Sequence, residues 1–217
     1  MKIINCGSGI HSREVKGVEK LQSLPANWVA YTNVDLICGP HKTCEIDVIL
    51  ITPDRIMMID LKDWRGTITS QNGRWEQNGK DVCRSPVNKM LQNVRESFPS
   101  FSAHFKKYAK GRSRFVPKIQ GFVVMTGSGD ISGIHDTEKS QVFYIDDFVA
   151  RVEKQVDRIK TFGTVKYFSD TMPLNKGNWL HIAKSFFNES NGLVQPGKKL
   201  YGNFASDSDR WTFQHPD

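Results

Sequence analysis

Apolar and polar positions along the chain fall into two kinds of stretch. Residues 46–51 and 56–59 are near-continuous apolar runs on either side of Thr52-Pro53-Asp54-Arg55. Proline suits position i+1 of a type I turn and aspartate suits the next. Neither run alternates strictly with polar residues, which predicts a β-hairpin with both strands buried. Residues 28–37 predict a strand that enters this hairpin through Cys38-Gly39-Pro40. Residues 120–126 and 142–145 predict two more, and residues 1–10 a short strand or arm ending at Gly7-Ser8-Gly9. Asn72-Gly73 between β-prone runs is the signature of a type I′ hairpin turn.

Other stretches carry the helical period. Ser12 is a good N-cap with Glu14 in the first turn, and Val15, Val18 and Leu21 form an apolar stripe weakened by Gly17 and ended by Pro25. Ser85-Pro86 opens a second helix along Val87, Met90, Leu91 and Val94. Pro99 is expected to interrupt it before a further segment through Phe101, Phe105 and Tyr108. Asp146 or Asp147 caps a third helix bearing Phe148, Val149, Val152, Val156 and Ile159. In the tail, residues 179–187 read as a helix, and residues 200–204 and 211–214 as a hairpin. The expected fold is α/β: a central mixed sheet flanked by the 12–24 and 86–97 helices, with a C-terminal α+β extension. Residues 1–165 form the expected first domain and residues 166–217 the extension or the start of a further module.

Four charged residues sit at the open end of the central hairpin. If it closes around Pro53-Asp54, Asp47 faces Asp60 and Glu45 faces Lys62, and alternation places all four on one side of the sheet. Directly opposed Cβ atoms lie about 4.5–5.5 Å apart, where like charges repel. Carboxylates so placed require a cation, a shared proton or solvent.

Charge and cysteine content narrow the classes. Cys6, Cys38, Cys44 and Cys83 include no C-x-x-C pair, which argues against a zinc ribbon and a disulfide framework. No apolar run is long enough to span a bilayer and the N-terminus lacks a signal-peptide core, so a cytoplasmic protein without a membrane partner is expected. The net charge of +7 is local, since residues 97–129 hold Lys106, Lys107, Lys110, Arg112, Arg114 and Lys118 without an acid. Alone, such a run reads as solvated surface, although a local cationic patch is also of the kind that attracts polyanions. Gly127-Ser128-Gly129 does not complete a dinucleotide-binding motif, and no G-x-S-x-G elbow is present.

Asp47, twelve intervening residues and then Asp60-Leu61-Lys62 resemble the PD-(D/E)-X-K signature of the restriction-endonuclease-like superfamily. The frame from Glu45 to Ile68, with Asp63-Trp64-Arg65-Gly66 after the lysine, is more specific and resembles the nuclease-related domain (NERD). So does the opening helix, where Glu14 precedes Leu21 by seven residues and Leu24-Pro25 leads to Trp28. The resemblance covers roughly residues 12–160 and implies a Mg²⁺-dependent nuclease, with Mn²⁺ as substitute. It implies Asp47 and Asp60 as metal ligands, Glu14 completing the acidic cluster, Lys62 beside the attacking water and Glu45 in possible support. Lys89 stands where the family often has Gln, a departure that replaces any borrowed role with a possible phosphate contact. The implied partner is DNA, contacted through its backbone, and a fused kinase or helicase module is expected because such domains often open longer proteins. The competing class is a catalytically inactive DNA-binding module that recruits the fused enzyme. Trp64 and Trp75 read as hairpin packing residues or as stacking platforms for bases.

Replacing Lys106, Lys107, Lys110 and Arg112 with neutral residues tests the basic run. Each lost phosphate contact should lower the log–log salt slope of duplex binding by about 0.9. An unchanged slope returns the run to solvated surface.

Overall fold

The computed structural model describes residues 1–6, 12–26, 28–39, 42–52, 55–108, 119–162 and 194–196. The first half runs β1 (Lys2–Asn5), α1 (Ser12–Leu21), β2 (Val29–Gly39), β3 (Lys42–Ile51), β4 (Ile56–Lys62), β5 (Thr67–Gln71), β6 (Arg74–Gln77) and β7 (Lys80–Arg84). It continues with α2 (Pro86–Tyr108), β8 (Ile119–Met125), β9 (Asp130–Gly133), α3 (Asp136–Lys139), β10 (Val142–Tyr144), α4 (Ile145–Phe162) and β11 (Val194–Pro196). The central sheet has the order β1-β2-β3-β4-β8-β10, with β11 also on β2, and it is mixed. β2, β3 and β4 run antiparallel in turn, whereas β8 lies parallel to β4 and β10 parallel to β8.

Helices cover both faces of this sheet, which is why its central strands are apolar on both sides. On one face Met90 and Phe101 of α2 pack with Tyr31, Ile46, Ile49 and Met58. On the other, Val18 and Leu21 of α1 and Phe148 and Val152 of α4 pack with Val48, Leu50, Ile59 and Leu61. A second sheet, ordered β7-β6-β5-β9, leans Ile68 and Trp75 against Val87 of α2 and Val123 and Met125 of β8. No helix among the described residues is long and apolar enough to cross a membrane.

The α/β architecture agrees with the sequence pattern, and several details differ from it. α2 is one continuous helix through Pro99. Proline forfeits one backbone hydrogen bond, but Met90 and Phe101, on either side of it, are anchored in the same core. Ile145 begins α4, so Asp146 and Asp147 occupy its first turn instead of capping it. Asn72 and Gly73 adopt φ of 51° and 72°, as a type I′ turn requires, and Asn78-Gly79 makes a second such turn at 52° and 74°. β9 and α3 are too short to leave a periodic signal. From the expected extension, Val194–Pro196 pairs with β2; the predicted helix at 179–187 and hairpin at 200–214 lie outside the described residues.

Gly17 has a packing reason that helix propensity hides. A Cβ there would stand 2.7 Å from Thr126 Cγ2 and 3.0 Å from Leu61 Cδ1, so its absence lets α1 lie close on β4. Gly17→Ala gains about 1 kcal/mol of helix propensity, yet overpacking typically costs about 1–3 kcal/mol. Because Thr126 is branched at Cβ and stiff, the expected result is a lower melting temperature. A rise in melting temperature would show that the contact yields freely.

Candidate active site

The β3–β4 hairpin closes in the expected register. Thr52 N donates to Arg55 O at 3.0 Å across the turn, and Ile51↔Ile56 through Val48↔Ile59 are partners. The ladder then opens. β3 stays with β2, where Glu45 pairs with Asp35, and β4 stays with β8 as far as Lys62↔Met125. The expected ladder pairs Asp47–Asp60 and Glu45–Lys62 are therefore not formed.

A slip in side-chain phase accompanies the opening. Cys44 and Ile46 pack in the same cluster as Ile49 and Ile51, although strict alternation would put them on opposite faces. On β2, Val34 and Leu36 likewise share the cluster of Val29 and Tyr31. Both strands slip at one level, Asn33 and Asp47, between the pairs Thr32↔Val48 and Val34↔Ile46. Asn33 takes a left-handed φ of 53°, which asparagine tolerates better than most residues, and its Nδ2 donates to Asn5 Oδ1 at 3.2 Å. The assumption that Glu45 and Asp47 share a face by simple alternation therefore fails.

The opening brings the charged residues together by another route. Leu61 N–H, left without a β3 carbonyl, donates to Asp47 Oδ2 at 2.6 Å. Asp47 thus lies beside Asp60, whose Oδ2 forms an ion pair with Lys62 Nζ at 2.7 Å. Asp60 is 3% exposed at its side chain and Lys62 22%. These residues line a cleft of about 380 Å³ together with Glu45, Arg13 and Glu14 of α1, Asp63 and Trp64 after β4, and Lys89 of α2. Lys106 and Lys107 fall at the end of α2, and their side chains, with Lys110, Arg112 and Arg114, lie outside the described residues.

The electrostatics follow from crowding. Burial pushes the Asp47 carboxyl well above its usual range, Asp60 pushes it further and Glu14 adds to this, against Lys62 and the Leu61 N–H. For Lys62, burial disfavours the ammonium, but Asp60 and Asp47 outweigh it and hold the amine firmly protonated. Lys62 is therefore a fixed positive charge and proton donor, unsuited to act as a base.

Mg²⁺ binds proteins through one or two carboxylates and keeps several waters. Two neighbouring carboxylates, one of them resisting ionisation without a cation, fit that requirement. Among the described residues no group of three or more His, Cys, Asp or Glu is arranged to hold a metal ion. Glu14 lines the same cleft from α1.

Neither Arg13 nor Asp63 stood out in the sequence. Arg13 is one of several helix-end charges, and only the packing of α1 brings it to the cleft. Trp64 and Trp75 separate clearly. Trp75 is wholly buried and its Nε1 donates to Glu138 Oε2 at 2.6 Å, whereas Trp64 is half-buried and lines the cleft.

A mixed sheet between helical layers, with an Asp-x-Lys strand at its open end, defines a nuclease-like α/β fold. The chain belongs to the nuclease-related domain family, whose model matches residues 11–126, from the start of α1 through β8. It is also similar to a probable kinase PglW of Streptomyces coelicolor (strain ATCC BAA-471 / A3(2) / M145), at 36% identity over 67 residues. That match covers 30% of this chain and 4% of the relative. No solved structure matches.

The raised Asp47 pKa fixes a sign. The folded protein holds this proton more tightly than the unfolded chain does. The stability it contributes is therefore full at low pH and is lost as pH rises from about 3.9 through the folded value. Asp47→Asn removes the titration while its amide oxygen can still accept from Leu61. Without metal, this variant should gain on the wild type as pH climbs from acid to neutral in denaturant titrations. Each tenfold tightening of proton binding is worth about 1.4 kcal/mol. A pH-independent difference would show that Asp47 ionises at no cost.

Proposed function

We propose that this protein is a metal-dependent nuclease that hydrolyses DNA phosphodiester bonds at the Asp47–Asp60–Lys62 cleft. The observation that carries the reading is the juxtaposition made by the open ladder: Asp47 held at Leu61 N–H, beside an Asp60–Lys62 ion pair at 2.7 Å. A Mg²⁺ ion, or Mn²⁺ in its place, held by Asp47 and Asp60 would polarise the phosphate and lower the pKa of bound water. Lys62, kept protonated, donates toward the attacking water and the non-bridging oxygens, where negative charge grows in the transition state. Glu14 accepts a hydrogen bond from water at the α1 side of the cleft, and Glu45 adds negative charge at its margin. Arg13 and Lys89, from different helices, hold the flanking phosphates. Such contacts fix register without reading bases, so weak sequence specificity is expected.

The second reading is a DNA-binding module that serves a fused kinase, in a cytoplasmic defence protein. Its support is the kinase name of the relative, of which this chain covers a small part.

Plasmid cleavage with Mg²⁺ or Mn²⁺, with and without chelator, separates the two. The expected outcome is metal-dependent nicking that Asp60→Asn abolishes, together with a smaller metal-induced rise in melting temperature. Lys62→Ala should keep the metal-induced rise and DNA binding, while cleavage falls by about 10²–10³-fold. A wild type that binds DNA but never cuts it, and whose melting ignores metal, would leave the binding-module reading.

A further inference from the structure

We propose that Trp64 is a stacking platform for a base next to the scissile phosphate, so that the cleft takes an unpaired nucleotide in preference to intact duplex. The proposal rests on reading the cleft as a nucleic-acid site and adds the class of strand it accepts.

The first argument is placement. Trp64 follows Lys62 by two residues and lines the same cleft as Asp47 and Asp60. A base stands one sugar away from its phosphate, so a ring beside the acidic floor is where a neighbouring base arrives. Arg13 and Lys89 supply backbone contacts around it. Cations that track phosphates, with an aromatic face for bases, are the combination used to hold single strands without reading sequence.

Exposure gives the second argument. Trp28 and Trp75, the other described tryptophans, are 1% and 0% exposed, whereas Trp64 keeps part of its surface open among charged side chains. An indole serving only the core would be covered like those two.

Rigidity gives the third. Trp64 O accepts from Gly129 N at 2.9 Å. The backbone of Gly127 packs so closely that a Cβ there would collide with the Trp64 carbonyl oxygen. The ring meets Trp75 edge-on, with centroids 6.0 Å apart and planes at 68°. Trp75 is fixed in turn by Glu138, which also accepts from Ser85 Oγ at 2.6 Å. A ring set in place before binding loses little freedom on binding, and that favours affinity. In duplex DNA the bases already stack on one another, so the platform rewards strands that are unpaired or locally melted.

The test measures binding of labelled oligothymidylate and of a blunt duplex in EDTA, so that cleavage plays no part. Trp64→Leu keeps apolar packing against Trp75 but loses the aromatic face; Trp64→Phe keeps a smaller face. With an unchanged melting temperature, Trp64→Leu should bind oligothymidylate about five- to a hundredfold more weakly. Duplex binding should change less than about twofold, and Trp64→Phe should retain most of the affinity. Oligothymidylate should also quench wild-type tryptophan emission, by an amount that Trp64→Phe removes, a readout that survives if Trp64→Leu fails to fold. Equal losses on both nucleic acids, an absent quench or no wild-type binding to oligothymidylate would each overturn the proposal. Strand-selective loss in a protein that never cleaves would sink the nuclease reading and leave the stacking platform standing.

Discussion

Two carboxylates held side by side where a β-ladder comes apart are the constraint on which the rest of the site depends. An intact antiparallel ladder past Val48 and Ile59 would give Leu61 N–H a carbonyl partner. The strands part instead, and Asp47 takes that donor. The arrangement holds one acid next to another at a buried strand end, where burial and Asp60 make Asp47 hard to ionise. Lys62 relieves part of the conflict through its ion pair with Asp60.

The surroundings make this arrangement possible. Asn33 supplies a left-handed residue opposite Asp47, so β2 and β3 slip phase together and keep their register. Gly17 brings α1, with Arg13 and Glu14, down onto Leu61. On the far side, Glu138 accepts from Trp75, Ser85 and Asn88 and ties the second sheet to the first turn of α2, near Lys89. Each tie is a close approach or a satisfied buried polar group. The cleft is therefore organised before any ligand reaches it.

Membership of the nuclease-related domain family and the geometry bear on different questions. The family match spans α1 to β8, the elements that carry Glu14, Asp47, Asp60, Lys62 and Lys89. The geometry shows how they come together: Asp47 accepts from Leu61 N–H, Asp60 pairs with Lys62, and Glu14 and Lys89 line the same cleft from two helices.

The sequence by itself determined the hairpin, its register and the helices on either side. These rest on local rules: continuous apolar runs for doubly buried strands, a Pro-Asp turn, a 3.6-residue stripe, an N-capping serine. It also singled out Asp47, Asp60 and Lys62, because charges inside an apolar strand pattern are conspicuous. Tertiary structure alone decided how those charges meet. The phase slip at Asn33 and Asp47 leaves no composition signal, since the pairing has the same register on either side of it, Thr32↔Val48 and Val34↔Ile46. The continuity of α2 through Pro99 was decided by burial on both sides of the proline, which outweighs a single lost hydrogen bond. Trp64 and Trp75 are equivalent as letters. Packing against α2 and β8 made one a core residue with a buried acceptor and left the other at the rim of the cleft. Periodicity records which face of an element is apolar, whereas a contact depends on what the rest of the chain brings to that face.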